Sequence, residues 1–213
     1  MRAAGGCGKL AGAMHRKPLL RLLDRYLAAH PEDEERLAPM LAFVRARPDC
    51  LQRTCLDGHV TGSAWIVSHD QRRVLLTHHR KLDRWLQLGG HADGDGDLLR
   101  VALREAREES GLRDLRPLPD VPDPVPLDVD VHAIPERGTE PAHLHFDVRF
   151  LLIAAAGQAL VRSDESHALR WVDRELVAAF VDEESQLRME RRARELAPKG
   201  PRAVHRGAEW RRP

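Results

Sequence analysis

The chain has 213 residues, 42% hydrophobic and 31% charged, with a formal net charge of +1. That size suits one domain with an extension. The near-zero charge gives no whole-chain attraction to nucleic acid or to an anionic membrane, and no apolar run is long enough to span a bilayer. Residues 1–17 are rich in small residues, lack an apolar stretch long enough for export and are expected to be a disordered lead-in. The apolar positions Leu19, Leu20, Leu22, Leu23, Tyr26 and Leu27 are spaced for a helix over residues 18–30, with Pro18 suited to its first turn and Pro31 ending it. Leu37, Met40, Leu41 and Val44 predict a second helix over residues 34–47, ending before Pro48. The two make a helical extension over residues 18–58, for packing, for a homodimer surface or for a lid. Cys7, Cys50 and Cys55 form no zinc-type pairing and read as reduced thiols of a cytoplasmic protein.

The pattern then changes to strands. Residues 61–68 and 73–78 read as two strands joined by a turn at His69, Asp70 and Gln71. Residues 84–88 form a short strand leading into Gly89 and Gly90. His78, His79, Arg80, Lys81 and Arg84 lie just before this point, either as a solvated turn or as a basic cluster attracting phosphates. His91 follows the glycines, placed to orient a ligand or to make a structural hydrogen bond. Trp65 or Trp85 could stack on a base, although a tryptophan more often belongs to the core.

Residues 89–112, GGHADGDGDLLRVALREAREESGL, hold the densest chemistry. Glu105, Glu108 and Glu109 stand at i, i+3 and i+4, which places them on one helix face. Carboxylates so close repel one another, and a hard divalent cation such as Mg2+ or Mn2+ relieves the conflict. The competing reading is a solvated face, since glutamate and arginine are strong helix formers. Against it, the acidic cluster lies late in the helix, where the macrodipole disfavours negative charge.

This stretch resembles the Nudix hydrolase signature, G-x5-E-x7-R-E-U-x-E-E-x-G-U, with U a bulky aliphatic residue. Gly90, Arg104, Glu105, Glu108, Glu109, Gly111 and Leu112 match over 23 residues, while Gly96 replaces the first glutamate and Ala106 the inner aliphatic. The resemblance implies a Nudix-type α/β/α sandwich with a mixed central sheet over residues 59–197, preceded by the N-terminal helical hairpin. It further implies that Glu105, Glu108 and Glu109 hold Mg2+ or Mn2+, that the Gly89–Gly90 turn brings backbone close to the metal, and that Arg104 orients the glutamates. Glu105 or Glu165 would be the catalytic base, with Asp164 the fallback; Asp95 and Asp97 would partly substitute for the glutamate missing at Gly96. The activity implied is hydrolysis of a nucleoside diphosphate linked to another moiety. The substrate is a small nucleotide, of a class the sequence does not select. Gly96 favours an alternative, a non-catalytic nucleotide-binding regulatory module.

Beyond the box, residues 113–126 are rich in proline and aspartate and read as loop. Residues 127–134 and 143–154 read as strands, separated by a loop at 135–141 that overhangs the pocket. His143, His145, Asp147 and Arg149 share one face by period two. They read as polar pocket lining, with His143 and His145 on the substrate beside His91, Arg84 and Trp85; a second metal site is the other reading. A loop and strand follow over residues 163–172, then a helix from Asp173 to about Phe180 and another over residues 184–196. Residues 198–213 are basic and read as a flexible tail, to which a nucleic-acid role is not assigned. P-loop, nucleophile-elbow and H-E-x-x-H motifs are absent from the sequence.

Overall fold

The computed structural model describes residues 7–196, with side chains from residue 16 onward. Helix α1 covers Cys7–Ala29, a 3-10 turn covers Pro31–Asp33, and helix α2 covers Glu34–Ala46. Leu19, Leu23, Tyr26, Leu37, Met40 and Val44 are fully buried, so the apolar stripes face inward as their spacing predicts. Helix α1 starts at Cys7, within the span expected as a lead-in, and Pro18 lies inside the helix. A proline there forfeits one backbone hydrogen bond but need not end a helix. The expected basic tail, 198–213, lies outside the described residues.

Eight strands follow: β1 Gly58–Val67, β2 Arg73–His79, β3 Arg84–Leu86, β4 Leu88–His91, β5 Leu115–Pro117, β6 Asp128–Ile134, β7 His143–Ala154 and β8 Ser166–Asp173. They form one mixed sheet along the path β3-β2-β1-β7-β5, with β4 on β1, β6 on β7 and β8 on β2. Only β1 and β7 run parallel, paired continuously from Gly58↔Leu144 to Val67↔Ile153. Every residue of β1 is buried. That matches its small and apolar run, since a strand covered on both faces has no solvent side to keep polar.

Helix α3, Leu98–Ser110, lies on one face of the sheet together with α1 and α2. Phe43 of α2 stacks on Phe146 of β7, ring centroids 4.0 Å apart, and one apolar cluster runs from the hairpin into the sheet. The other face, carrying Trp65, Val67 and Leu151, is covered by α4, Glu184–Leu196. Two expectations change here. The helix expected from Asp173 is a six-residue 3-10 stretch, Arg174–Ala179. The stretch read as loop after α3 contains β5, held by pairing with β7, a partner that local composition cannot reveal.

Buried charge ties the extension to α4 and the sheet. Arg192 of α4 donates to Tyr26 Oη at 2.6 Å, to Asp33 at 2.7 Å and to Asp128 at 2.7 Å. Arg149 is 2% exposed and donates to Asp147 at 2.8 Å and to Asp128 and Asp130 at 3.2 Å. Among the described residues no helix is long and apolar enough to cross a membrane.

Candidate active site

β4 carries the glycine pair against β1, with Gly89 opposite Ser63 and Gly90 opposite Gly62. The chain then turns through Gly94, at φ +88°, into α3. Asp97 caps that helix by accepting from the Arg100 N–H at 3.1 Å, and Gly111 closes it in the left-handed conformation at φ +72°. Leu98, Val101, Ala102 and Ala106 bury the apolar stripe of α3. The neighbouring stripe, with Glu105 and Glu109, consequently faces the glycine pair, which lies within strand β4 and not in the turn expected from the sequence, because β1 pairs with it.

The fit between strand and helix is close. A Cβ built on Gly90 would overlap the Glu105 carboxylate, so glycine at this position makes room for it. The Gly89 N–H donates to Glu109 Oε1 at 3.3 Å. Arg104 Nη2 donates to Glu105 Oε1 and to the His91 carbonyl, both at 2.7 Å, fastening helix to strand. Glu105, Glu109 and Glu165 all line one cavity of about 260 Å3. Arg53, Lys81 and Arg137 line it with the opposite charge, and His91, His132 and His145 line it as well.

Burial dominates the electrostatics. It pushes Glu109 up to about 8, with Glu105, Glu165 and Glu108 adding to the rise and the Gly89 N–H opposing it. Glu105 is raised by the same cause, against the pull of Arg104. Burial lowers His91 to about 4, helped by the Arg53 charge. Clustered carboxylates whose ionised forms are resisted by burial and by one another suit a hard cation, and the oxygen donors are of the right kind for Mg2+ or Mn2+.

The expected site residues do not all meet. Glu105, Glu109, Glu165, Gly90, His91 and His145 line the cavity, and Arg104 holds Glu105 from behind. Glu108 is exposed on the adjoining turn of α3. His143 is buried beside His145 and is not part of the lining. Arg84 and Trp85, expected on substrate, line a separate cleft with Phe180 and Gln186. Arg84 is there ion-paired with Glu183, because β3 lies at the far side of β2. Asp95 forks onto Arg100 at 2.7 and 2.6 Å, so with Asp97 capping the helix neither aspartate beside Gly96 lines the cavity. Asp147 does line it, but accepts from Thr61 at 2.9 Å, Ser63 at 2.7 Å and Arg149, so it works as a joint within the sheet.

Sequence reading passed over Arg53, His59 and His132, and placed Arg137 only within an overhanging loop. Arg53 reaches the site through a two-pronged bond to Asp93, at 2.7 and 2.8 Å. Its one sequence signal was a basic residue in an otherwise unassigned linker before β1.

The NUDIX domain family model matches residues 59–196, more than half of the chain. A NUDIX-family hydrolase from Clostridium perfringens is 22% identical, with a TM-score of 0.50 over 65% of this chain and 97% of that one. An Ap4A hydrolase from C. elegans, solved as a binary complex, is 14% identical, with a TM-score of 0.47 over 64% and 95%. The dihydroneopterin triphosphate pyrophosphohydrolase of E. coli is 18% identical, with a TM-score of 0.46 over 62% and 92%. Comparison with curated proteins returned no match. The glycine pair of β4 and the α3 carboxylates fall inside the matched span, and the chain belongs to the Nudix family, as an enzyme of its pyrophosphohydrolase kind.

Proposed function

We propose that the enzyme hydrolyses the pyrophosphate bond of a nucleoside diphosphate linked to another moiety, with Mg2+ or Mn2+ held by Glu105, Glu108 and Glu109 beside the Gly90 backbone. One observation carries this reading: Glu105, Glu109 and Glu165 converge on a single cavity that Arg53, Lys81 and Arg137 line with the opposite charge. When bound, the ion would neutralise phosphate oxygens and acidify a water. The protein's own part is mostly positioning and electrostatics, as phosphoryl chemistry requires.

Arg53, Lys81 and Arg137 bind the phosphate chain, for which guanidinium and ammonium groups are suited. Arg104 holds the Glu105 carboxylate in place, and its charge opposes the rise that burial imposes. Glu165 stands on the loop before β8 and takes the proton of the attacking water; Glu105 is the other candidate for that role. His91 and His145 border the substrate. We assign the enzyme to the cytoplasm, a reading supported by the free thiols of Cys50 and Cys55.

The test is phosphate release, coupled to a phosphatase, across nucleotide sugars, ADP-ribose, CDP-alcohols, dinucleoside polyphosphates and damaged nucleotides. Each is measured with Mg2+, with Mn2+ and with EDTA. Turnover of one class that EDTA abolishes is the expected result. Nucleotide binding by calorimetry without turnover of any compound would favour a regulatory binding module, the alternative to which Gly96 points.

A further inference from the structure

We propose that His59, His143 and His145 form a second metal site, for a transition ion of the Zn2+ class, beside the cavity that His145 lines and distinct from the carboxylates of α3. The inference stands independently of the hydrolysis proposed above.

The sheet assembles the three rings. His59 of β1 and His145 of β7 are direct partners in the parallel register, and His143 shares the face of His145 by period two. One nitrogen from each ring can be chosen so that all three lie within 4.8 Å of one another. The His143 Nε2 and His145 Nε2 atoms are 3.2 Å apart. Two imidazole nitrogens about 2.0–2.1 Å from one tetrahedral ion stand about 3.3 Å apart, so this spacing suits a shared ligand sphere.

Two further observations point to a ligand. His143 Nδ1 lies 2.8 Å from the Pro141 carbonyl, which can only accept, so Nδ1 carries the proton and Nε2 presents a lone pair. A ring whose far nitrogen is fixed in this way is the usual support for a metal-bound histidine. His59 is 4% exposed, and neither of its ring nitrogens has a hydrogen-bond partner. The Cys55 backbone is near it but outside hydrogen-bond geometry. Buried polar atoms are seldom left in that condition, and the ring sits 4.8 Å from His143 and 4.9 Å from His145, centroid to centroid.

The chemistry of the set selects the ion. Neutral imidazoles favour Zn2+, Co2+ or Ni2+ over Mg2+, which prefers oxygen. Burial disfavours the protonated form of both His59 and His145, so their nitrogens are available at neutral pH. Glu140 Oε1, 3.9 Å from His143 Nε2, supplies the candidate fourth ligand. Glu140 and Arg137 belong to the same overhanging loop and are joined by reciprocal backbone hydrogen bonds at 2.9 Å. Coordination through Glu140 would therefore fasten that loop, and Arg137 with it, over the cavity.

The experiment uses the full chain, stripped with a chelator and then saturated with Mg2+ so that oxygen sites are filled. Co2+ is added and its visible absorption recorded, followed by displacement with Zn2+. The expected result is one Co2+ per chain with the absorption of a four-coordinate nitrogen–oxygen site. Affinity should fall at least ~10–100-fold in His143→Gln, the scale of disturbing a metal-binding histidine, and be retained in Glu109→Gln. Absence of the absorption overturns the proposal, as does binding lost in Glu109→Gln and unchanged in His143→Gln. Should His143→Gln fail to fold, zinc-edge X-ray absorption on the unaltered protein decides: three imidazoles support the site, and one or none removes it.

Discussion

Two ends of one cavity respond to burial in opposite directions and arrive at the same charge state. At the α3 end, burial and neighbouring carboxylates raise Glu109 to about 8 and favour its neutral acid. At the β1–β7 end, burial lowers His145 to about 2 and favours its neutral base. Desolvation penalises charge of either sign, so the direction depends only on which form is charged. The consequences for ligands differ. A carboxyl group must lose its proton to bind a cation, and it gains from the cation's charge. A neutral imidazole already presents its lone pair. The acidic end thus suits a hard ion that compensates charge, and the histidine end suits an ion chosen for its affinity for nitrogen.

The comparison breaks most severely at Asp147, the joint between the two ends. Its carboxylate is buried, bonded to Thr61 and Ser63 and paired with Arg149. Asp147→Ala should destabilise the fold by about 3 kcal/mol, near the lower bound for breaking a buried ion pair, since Asp128 and Asp130 still hold Arg149. Urea unfolding measures this; a loss below about 1 kcal/mol would show that the joint carries little.

Next in size is the acidic end alone. Glu109→Gln or Glu108→Gln should lower turnover at least ~100-fold with the circular dichroism unchanged, on the scale of lost metal assistance. A rate within a few-fold of the parent would take that residue out of the metal site.

A pH experiment sharpens the difference. Glu109 rises from an ordinary 4.5 to about 8 on folding, so between those values the folded chain holds a proton that the unfolded chain has released. Its contribution to stability is fully present below about pH 4.5, declines as pH rises and is gone above about 8. In EDTA, thermal unfolding should show this decline, and Glu109→Gln should flatten it. An unchanged slope in the variant would assign the decline to other groups.

The smallest expected effect is at Gly96. Gly96→Glu should raise activity or Mg2+ affinity by roughly a few-fold, the gain of one supporting carboxylate near the metal site. Titration of rate against Mg2+ reads it, and an unaltered curve would mean that nothing is needed at that position.

Much of this molecule is legible along the chain because the relevant spacings are local. Glu105, Glu108 and Glu109 share a face by helical period alone, and the stripe with Val101 and Ala102 beside it turns two of them inward. The hairpin is likewise visible in Leu19, Leu23, Leu37 and Met40, whose spacing matches their burial. Local signals mislead where a distant partner decides. Nothing within residues 113–126 marks β5, because the edge of β7 creates it. Pro18 resembles a helix start, yet the helix runs through it.

The sequence by itself determined the family, the carboxylate face of α3 and the alternation that puts His143 and His145 on one strand face. Tertiary structure alone decided that Arg53 and Arg137 reach the cavity, that Arg84 and Trp85 fall in another cleft, and that His59 joins the histidines. The reason is the reach of each force. Helical and strand periods are fixed by backbone geometry within a few residues, whereas the β1–β7 register is set by the fit of two strands far apart in the chain.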